Sequence, residues 1–226
     1  MEIYNWVIQN KEMFKIFYGL IIALICFVIV LKTNRLFKLS FHQGIRYFRN
    51  AFFFYGIAFL FRYIFGALAF YGYITYQFWI KMLFEFFLVM GGFFLLYSLL
   101  WKKIEPEHKP FYSSLLNFNI VIFYLMAIVI VVLDYLWKSY SFMFISQIIL
   151  FICMSIVTGI KIKKDKGKHK FLKFYFTAII LILVAWILNS ALQFFAWSKG
   201  VLIDIYIINI IFFLLFLYSV IKITSK

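Results

Sequence analysis

Cysteine and proline are almost missing from this chain of 226 residues, with two of each. Cys26 and Cys153 both sit inside apolar runs and read as small hydrophobes. They supply neither a disulfide framework nor a thiolate metal site. Pro106 and Pro110 fall in one loop, so every apolar run is free to form a continuous helix. That argues against carriers that break helices around their substrate. The three histidines, His42, His108 and His169, lie between the apolar runs and have no partners at metal-ligand spacing. No span serine has a histidine base to activate it. Glu105, Glu107 and His108 carry acid–base groups, but EPEHK reads as a solvated loop. An enzyme is disfavoured, and no cofactor is expected.

Apolar residues are what the chain has in excess. They make up 66% of it, aromatics alone 24%, and the mean hydropathy is +1.00. A soluble domain is about 45–50% apolar, so this composition is that of a membrane protein. The formal net charge of +15 does not indicate nucleic acid, because the cations cluster between the apolar runs.

A helix crossing the hydrocarbon core needs about 20 apolar residues. Seven segments approach that length: 14–31, 51–73, 78–101, 114–137, 141–162, 171–197 and 201–223. Lys81 and Glu85 interrupt the third and make it the weakest. The expectation is one all-α, multi-pass bundle of seven spans in the cell membrane. The opening MEIYNWVIQNKEMFK lacks a basic stretch followed by a small-residue cleavage site, so no removable signal peptide is expected.

Charge fixes the expected direction. Lys32, Arg35, Lys38, Arg46 and Arg49 lie in the first connection, and Lys102, Lys103 and Lys109 in the third. Lys161, Lys163, Lys164, Lys166, Lys168, Lys170 and Lys173 crowd the fifth, and Lys222 and Lys226 the tail. The other side has Lys11, Lys15, Lys138 and Lys199. The basic side belongs in the cytoplasm, which puts the N-terminus outside. Tyr71, Tyr73, Trp79, Tyr135, Trp137 and Trp197 fit an aromatic belt at the outer boundary. The short turns around Lys138 and Lys199 make helices 4/5 and 6/7 antiparallel neighbours. The lipid bilayer is the expected partner, with anionic lipid or a cytoplasmic protein at basic segments 32–50 and 161–173.

Polar residues within the spans carry the functional signal. At ~1.5 Å per residue, Arg62 falls roughly 15 Å deep and Glu85 about 10 Å deep. Asp134, Gln147, Asn189, Gln193 and Asp204 share that outer layer. Lys81, Glu85, Leu88 and Gly92 form one stripe, Gln147, Phe151, Met154 and Thr158 a second, and Trp186, Asn189 and Gln193 a third. Asp204 and Asn209 are about 140° apart at ~3.6 residues per turn, so only one of them faces the centre. A charge at the bilayer centre costs roughly 2.5–3.5 kcal/mol, so an Arg62–Glu85 contact is expected, with Lys81 reaching outward. The expected ligand pocket has Arg62 and Glu85 as floor, Gln147, Trp186, Asn189 and Gln193 as walls, and Asp134 and Asp204 at the mouth, with Lys81 reaching towards the outer surface or towards Asp134 or Asp204. The competing reading makes the same groups structural, because buried ion pairs and amides also fix helix register.

Retinal binding is excluded, because the last span, VLIDIYIINIIFFLLFLYSVIKI, has its one lysine, Lys222, at the cytoplasmic end. The stretch LFKLSFHQGIRYFRNAFFFYGIAFLFR, with its basic cluster, Gly44 and the aromatic pair Tyr47–Phe48, resembles seven-helix membrane input modules of prokaryotic sensor proteins. The resemblance implies a receptor-like bundle that passes its signal to a separate cytoplasmic partner, since no kinase or other output domain is present in the sequence. The alternatives are a small proton-coupled transporter exchanging partners at Glu85 and Arg62, and an accessory or scaffold subunit without a ligand.

Overall fold

The computed structural model describes residues 11–65, 68, 77–104, 118–164, 170–195 and 199–224. Those residues form seven long α-helices: α1 (Lys11–Ser40), α2 (Gln43–Leu60), α3 (Gln77–Ile104), α4 (Phe118–Leu136), α5 (Ser141–Lys164), α6 (Lys170–Phe195) and α7 (Lys199–Thr224). A π-helical turn, Phe61–Phe65, continues α2. There is no strand among the described residues. Three stretches, Lys15–Ser40, Phe78–Trp101 and Ser141–Lys164, are long and apolar enough to cross a membrane. The middle one is the segment that Lys81 and Glu85 interrupt. Ile120–Leu136, Tyr175–Ala191 and Ile207–Lys222 are shorter apolar stretches.

Packing closes α1, α2, α3, α5, α6 and α7 into a ring, in that order, with α7 returning to α1. The fourth helix lies outside it, against α3 and α5. The neighbour pairs expected from the short turns, α4/α5 and α6/α7, are both in contact. At one end of the ring is the 137–140 turn, hereafter the turn end. At the other is the Ser40–Gln43 connection with Lys161, hereafter the basic end.

The side chains sort as they would against hydrocarbon. On α5, Met143, Gln147, Leu150, Phe151, Met154 and Thr158 are buried, while Ile145, Ile149, Ile152, Ile156 and Ile160 are exposed on the opposite face. Polar groups face in and isoleucines face out. On α1, Tyr18, Ile22, Cys26, Ile29 and Thr33 face the bundle, and Phe17, Leu24, Phe27 and Leu31 face away. Exposed aliphatic surface on this scale is foreign to a monomeric soluble domain.

The first basic connection differs from its expected form as a loop. The first helix runs on to Ser40, and only Phe41 and His42 separate it from α2. KTNRLFKLS contains neither proline nor glycine, so nothing stops the helix where the apolar run ends. Phe41 ends it with φ 49°, its N–H donating to Phe37 O at 2.8 Å, a left-handed helix stop. Arg49 Nη1 then donates to Asn34 Oδ1 at 2.6 Å and ties α2 to the extension of α1.

Candidate functional site

The turn end holds the polar layer, and its groups divide into a strapping cluster and a cavity lining. Asp134, in the last turn of α4, is fully buried. Its Oδ1 accepts from Phe142 N at 2.9 Å and its Oδ2 from Met143 N at 2.7 Å. These are amides at the start of α5, which no residue within that helix can satisfy. Ser139 Oγ also donates to Asp134 Oδ1, at 3.4 Å. Asp134 is thus the N-terminal cap of α5, supplied from across the turn, and its negative charge sits on the positive end of that helix's dipole. It does not line the cavity described below.

Lys81 Nζ lies 3.6 Å from Glu85 Oε1, donates to Ser139 O at 3.0 Å, and stands over the Tyr140 ring at 4.1 Å. One cation thereby joins α3 to the α4–α5 turn. Burial pushes the Tyr140 phenol above its ordinary value, opposed by the charge of Arg62, so the ring Lys81 stands on is neutral at physiological pH. Glu85 is buried at 1% exposure and Lys81 at 27%. Arg62 takes a different position from the expected direct pair with Glu85. Its guanidinium stands over Phe84 at 4.5 Å and faces Tyr140 at 5.5 Å and Tyr63 at 5.8 Å. It therefore neighbours the Lys81–Glu85 pair, whose own contact is the i, i+4 one. A planar guanidinium stacks on aromatic faces.

Gln147 is buried between α5 and α3, and neither of its amide atoms has a hydrogen-bond partner among the described residues. It lies against Gly92, where an added Cβ would fall 2.8 Å from Gln147 Oε1. The close approach of helices 3 and 5 needs that glycine.

The cavity itself has a volume of about 120 Å³. Tyr18 lines it from α1, Tyr55 and Phe59 from α2, Arg62 and Tyr63 from the π turn, and Phe84 and Leu88 from α3. Met143 and Phe144 contribute from α5, Ile182, Trp186 and Asn189 from α6, and Asn209 and Phe213 from α7. Every helix of the ring takes part, and none of the described lining comes from α4. Asn209 Nδ2 donates to Tyr18 Oη at 3.0 Å across the α1–α7 seam. Asn189 Nδ2 donates to Ala185 O within its own helix at 2.8 Å. Tyr55 is 1% exposed, and its hydroxyl has no hydrogen-bond partner among the described residues.

Of the residues expected at a pocket, Arg62, Trp186 and Asn189 line this cavity. Lys81, Glu85, Asp134 and Gln147 stand beside it, between α3, α4 and α5. The side chains of Gln193 and Asp204 lie outside what the structure describes. Tyr18, Tyr55 and Asn209 were not anticipated as site residues. For Asn209 the signal was its angular separation from Asp204, which leaves one of the two to face the centre; Asn209 lines the cavity. For the tyrosines there was none, since 16 tyrosines and 33 phenylalanines give every helix aromatic candidates.

Below the cavity an aromatic plug fills the ring. Phe52 packs on Phe216 at 5.1 Å and on Tyr55 and Phe213 at 6.2 Å each, and Phe212 packs on Phe213 and Phe216. Beyond it, at the basic end, lies a larger cavity of about 240 Å³ bounded by Thr33, Leu36, Gly44, Phe48, Leu99 and Val220 among others. No protein-family model, curated protein or solved structure matches the chain.

Proposed function

We propose that this chain is a seven-span membrane receptor or sensor subunit, with its N-terminus and turn end outside and its basic end in the cytoplasm. On this reading the 120 Å³ cavity takes a small ligand from the outside. The observation that carries it is a cavity to which all six ring helices contribute, with the ring contacts of Phe52, Phe213 and Phe216 between it and the basic end. A ligand held by six helices biases their mutual packing, and packed helix interfaces respond by small discrete shifts. Such shifts reach Arg46, Arg49 and Lys161 at the basic end, where a separate acidic partner or anionic lipid reads them. The likeness of residues 32–62 to sensor input modules agrees with this role.

The plug is also what favours a receptor over a proton-coupled transporter, which needs a polar route through the inner half. One labelling experiment separates the readings. An Asn189→Cys variant, made in a Cys153→Ala background, is treated with a charged thiol reagent from either face of the membrane. The receptor reading expects labelling from outside alone. Comparable labelling from both faces makes the chain a transporter, and none from either face leaves a scaffold without a ligand. A cysteine at Lys166 that reacts with outside reagent in intact cells overturns the orientation.

A further inference from the structure

The basic end carries more positive charge than its own acids can neutralise. Seventeen of the 23 lysines and arginines fall on that side in sequence, against three of the eight acids, Glu105, Glu107 and Asp165. The surplus stands however those groups pair. Lys32 and Arg35 are exposed on the extension of α1, and each directly precedes a wall residue of the 240 Å³ cavity, Thr33 and Leu36. The cavity beside these cations is greasy. Leu36, Ile45, Phe48, Leu99 and Val220 supply much of its described wall. The hydroxyls of Thr33 and Ser98 donate within their own helices, to Ile29 O and Leu95 O at 2.6 Å each. Tyr175 is buried against Phe48 and Phe216, on the side of the aromatic plug.

We infer that the cavity at the basic end takes one acyl chain of an anionic phospholipid, whose phosphate stays at the rim beside Lys32 and Arg35. This stands apart from whatever the turn-end cavity binds and needs only that the bundle lies in a bilayer. Position agrees, because a chain hanging from a head group at the basic surface points towards the plug, and the cavity lies between the two. Size agrees as well. A dry cavity of about 150 Å³ accepts the six carbons of benzene, so one of about 240 Å³ holds roughly eight to ten carbons of a single chain. Each methylene buried there adds about fourfold in affinity. Charge sets the class of head group. A zwitterionic lipid brings the same chain but no net charge for the surplus cations to attract. A segment of a cytoplasmic protein fits less well. Its backbone amides would need partners, and the Thr33 and Ser98 hydroxyls already donate elsewhere. An alkyl chain needs none.

Trp101 is the native reporter. Its indole meets the His42 ring at 4.9 Å and lies against Gly44, and both of those residues line the cavity. The full chain is placed in phosphatidylcholine nanodiscs, and phosphatidylglycerol with brominated acyl chains is titrated in while tryptophan emission is followed. Brominated phosphatidylcholine is the comparison lipid and Trp101→Phe the blank. Brominated phosphatidylglycerol should quench Trp101 saturably, at mole fractions where the comparison lipid quenches little. Ile45→Phe, which puts a ring where the chain would lie, should abolish the saturable part while leaving every surface cation in place. Lys32→Gln with Arg35→Gln should lower the preference for phosphatidylglycerol by about fivefold per charge, the scale of one basic residue at an anionic surface. That surface pair decides the matter if Ile45→Phe does not fold. Equal quenching by the two lipids overturns the inference, as does a preference that the paired substitution leaves unchanged. Quenching that Ile45→Phe leaves intact also overturns it, because the lipid then lies on the surface alone. Silence of both lipids overturns it too, and returns the basic end to a protein partner.

Discussion

Two cavities at opposite ends of this bundle share α1, α2, α3, α6 and α7 in their described linings, α5 adds to the one at the turn end, and their materials differ. The one at the turn end is small and carries Arg62, Asn189, Asn209 and three tyrosines, Tyr18, Tyr55 and Tyr63. The one at the basic end has twice the volume and mixes leucine, isoleucine, valine and phenylalanine with Thr33, His42, Ser98 and Tyr175, and neither lysine nor arginine is among its described lining, although cations crowd that end in sequence. Charge at the basic end stays at the periphery, where Arg46 and Arg49 lie over Phe37. At the turn end charge is drawn inside. A group that could reach water at little cost is kept dry only where helix packing compensates it, so the inward charges mark where specificity is concentrated.

Substitutions can break this contrast, and the largest effect belongs to the plug that maintains it. Phe52→Ala removes a fully buried ring that touches Tyr55, Phe213 and Phe216. It should cost about 3 kcal/mol, read as a fall in Tm in detergent, and it should join the two cavities. Next comes Lys81→Met, which leaves the buried Glu85 carboxylate without its ion pair and should cost about 2 kcal/mol, with Lys81→Met/Glu85→Gln recovering most of it. The matching change at the other end, Lys161→Met, loses a bond to Leu99 O of 2.7 Å, and its cost should stay near 1 kcal/mol, the scale of one hydrogen bond. Equal Tm losses for the two lysines would erase the distinction drawn between the ends. Asp134→Ala strips the cap from α5 and should cost about 1 kcal/mol, with Asp134→Asn intermediate. Gly92→Ala is the mildest. Its Cβ meets the movable end of Gln147, so under about 1 kcal/mol is expected.

Much of the fold was legible because hydrocarbon enforces a simple rule on helical faces. The stripe Gln147, Phe151, Met154 and Thr158 is buried throughout, and spacing alone located it. Trp186 and Asn189 were found in the same way. Other features lay beyond such reading. Asp134 was expected at the mouth of a pocket; its partners are backbone amides, eight and nine residues on, which no side-chain pattern reveals. Arg62 was expected against Glu85 because depth was counted on a regular helix, whereas the chain forms a π turn at Phe61–Phe65 and the guanidinium stands on Phe84. The reach of α1 to Ser40 was hidden because hydropathy measures the span and says nothing of where a helix stops. Tyr18 and Tyr55 were obscured by abundance, one aromatic among dozens.

The straps at the turn end have a mechanical consequence. Lys81 binds α3 to the α4–α5 turn, and Asp134 welds α4 to α5. These three helices form a stiff arc on one side of the ring. On the sixth helix, at that same end, the described polar contacts are internal, Asn189 to Ala185 O and Ser190 to Ile187 O. Trp186 on that helix meets Phe144 of α5 by a ring contact at 5.6 Å, so a guest seated against Trp186 would press the sixth helix against this stiff arc.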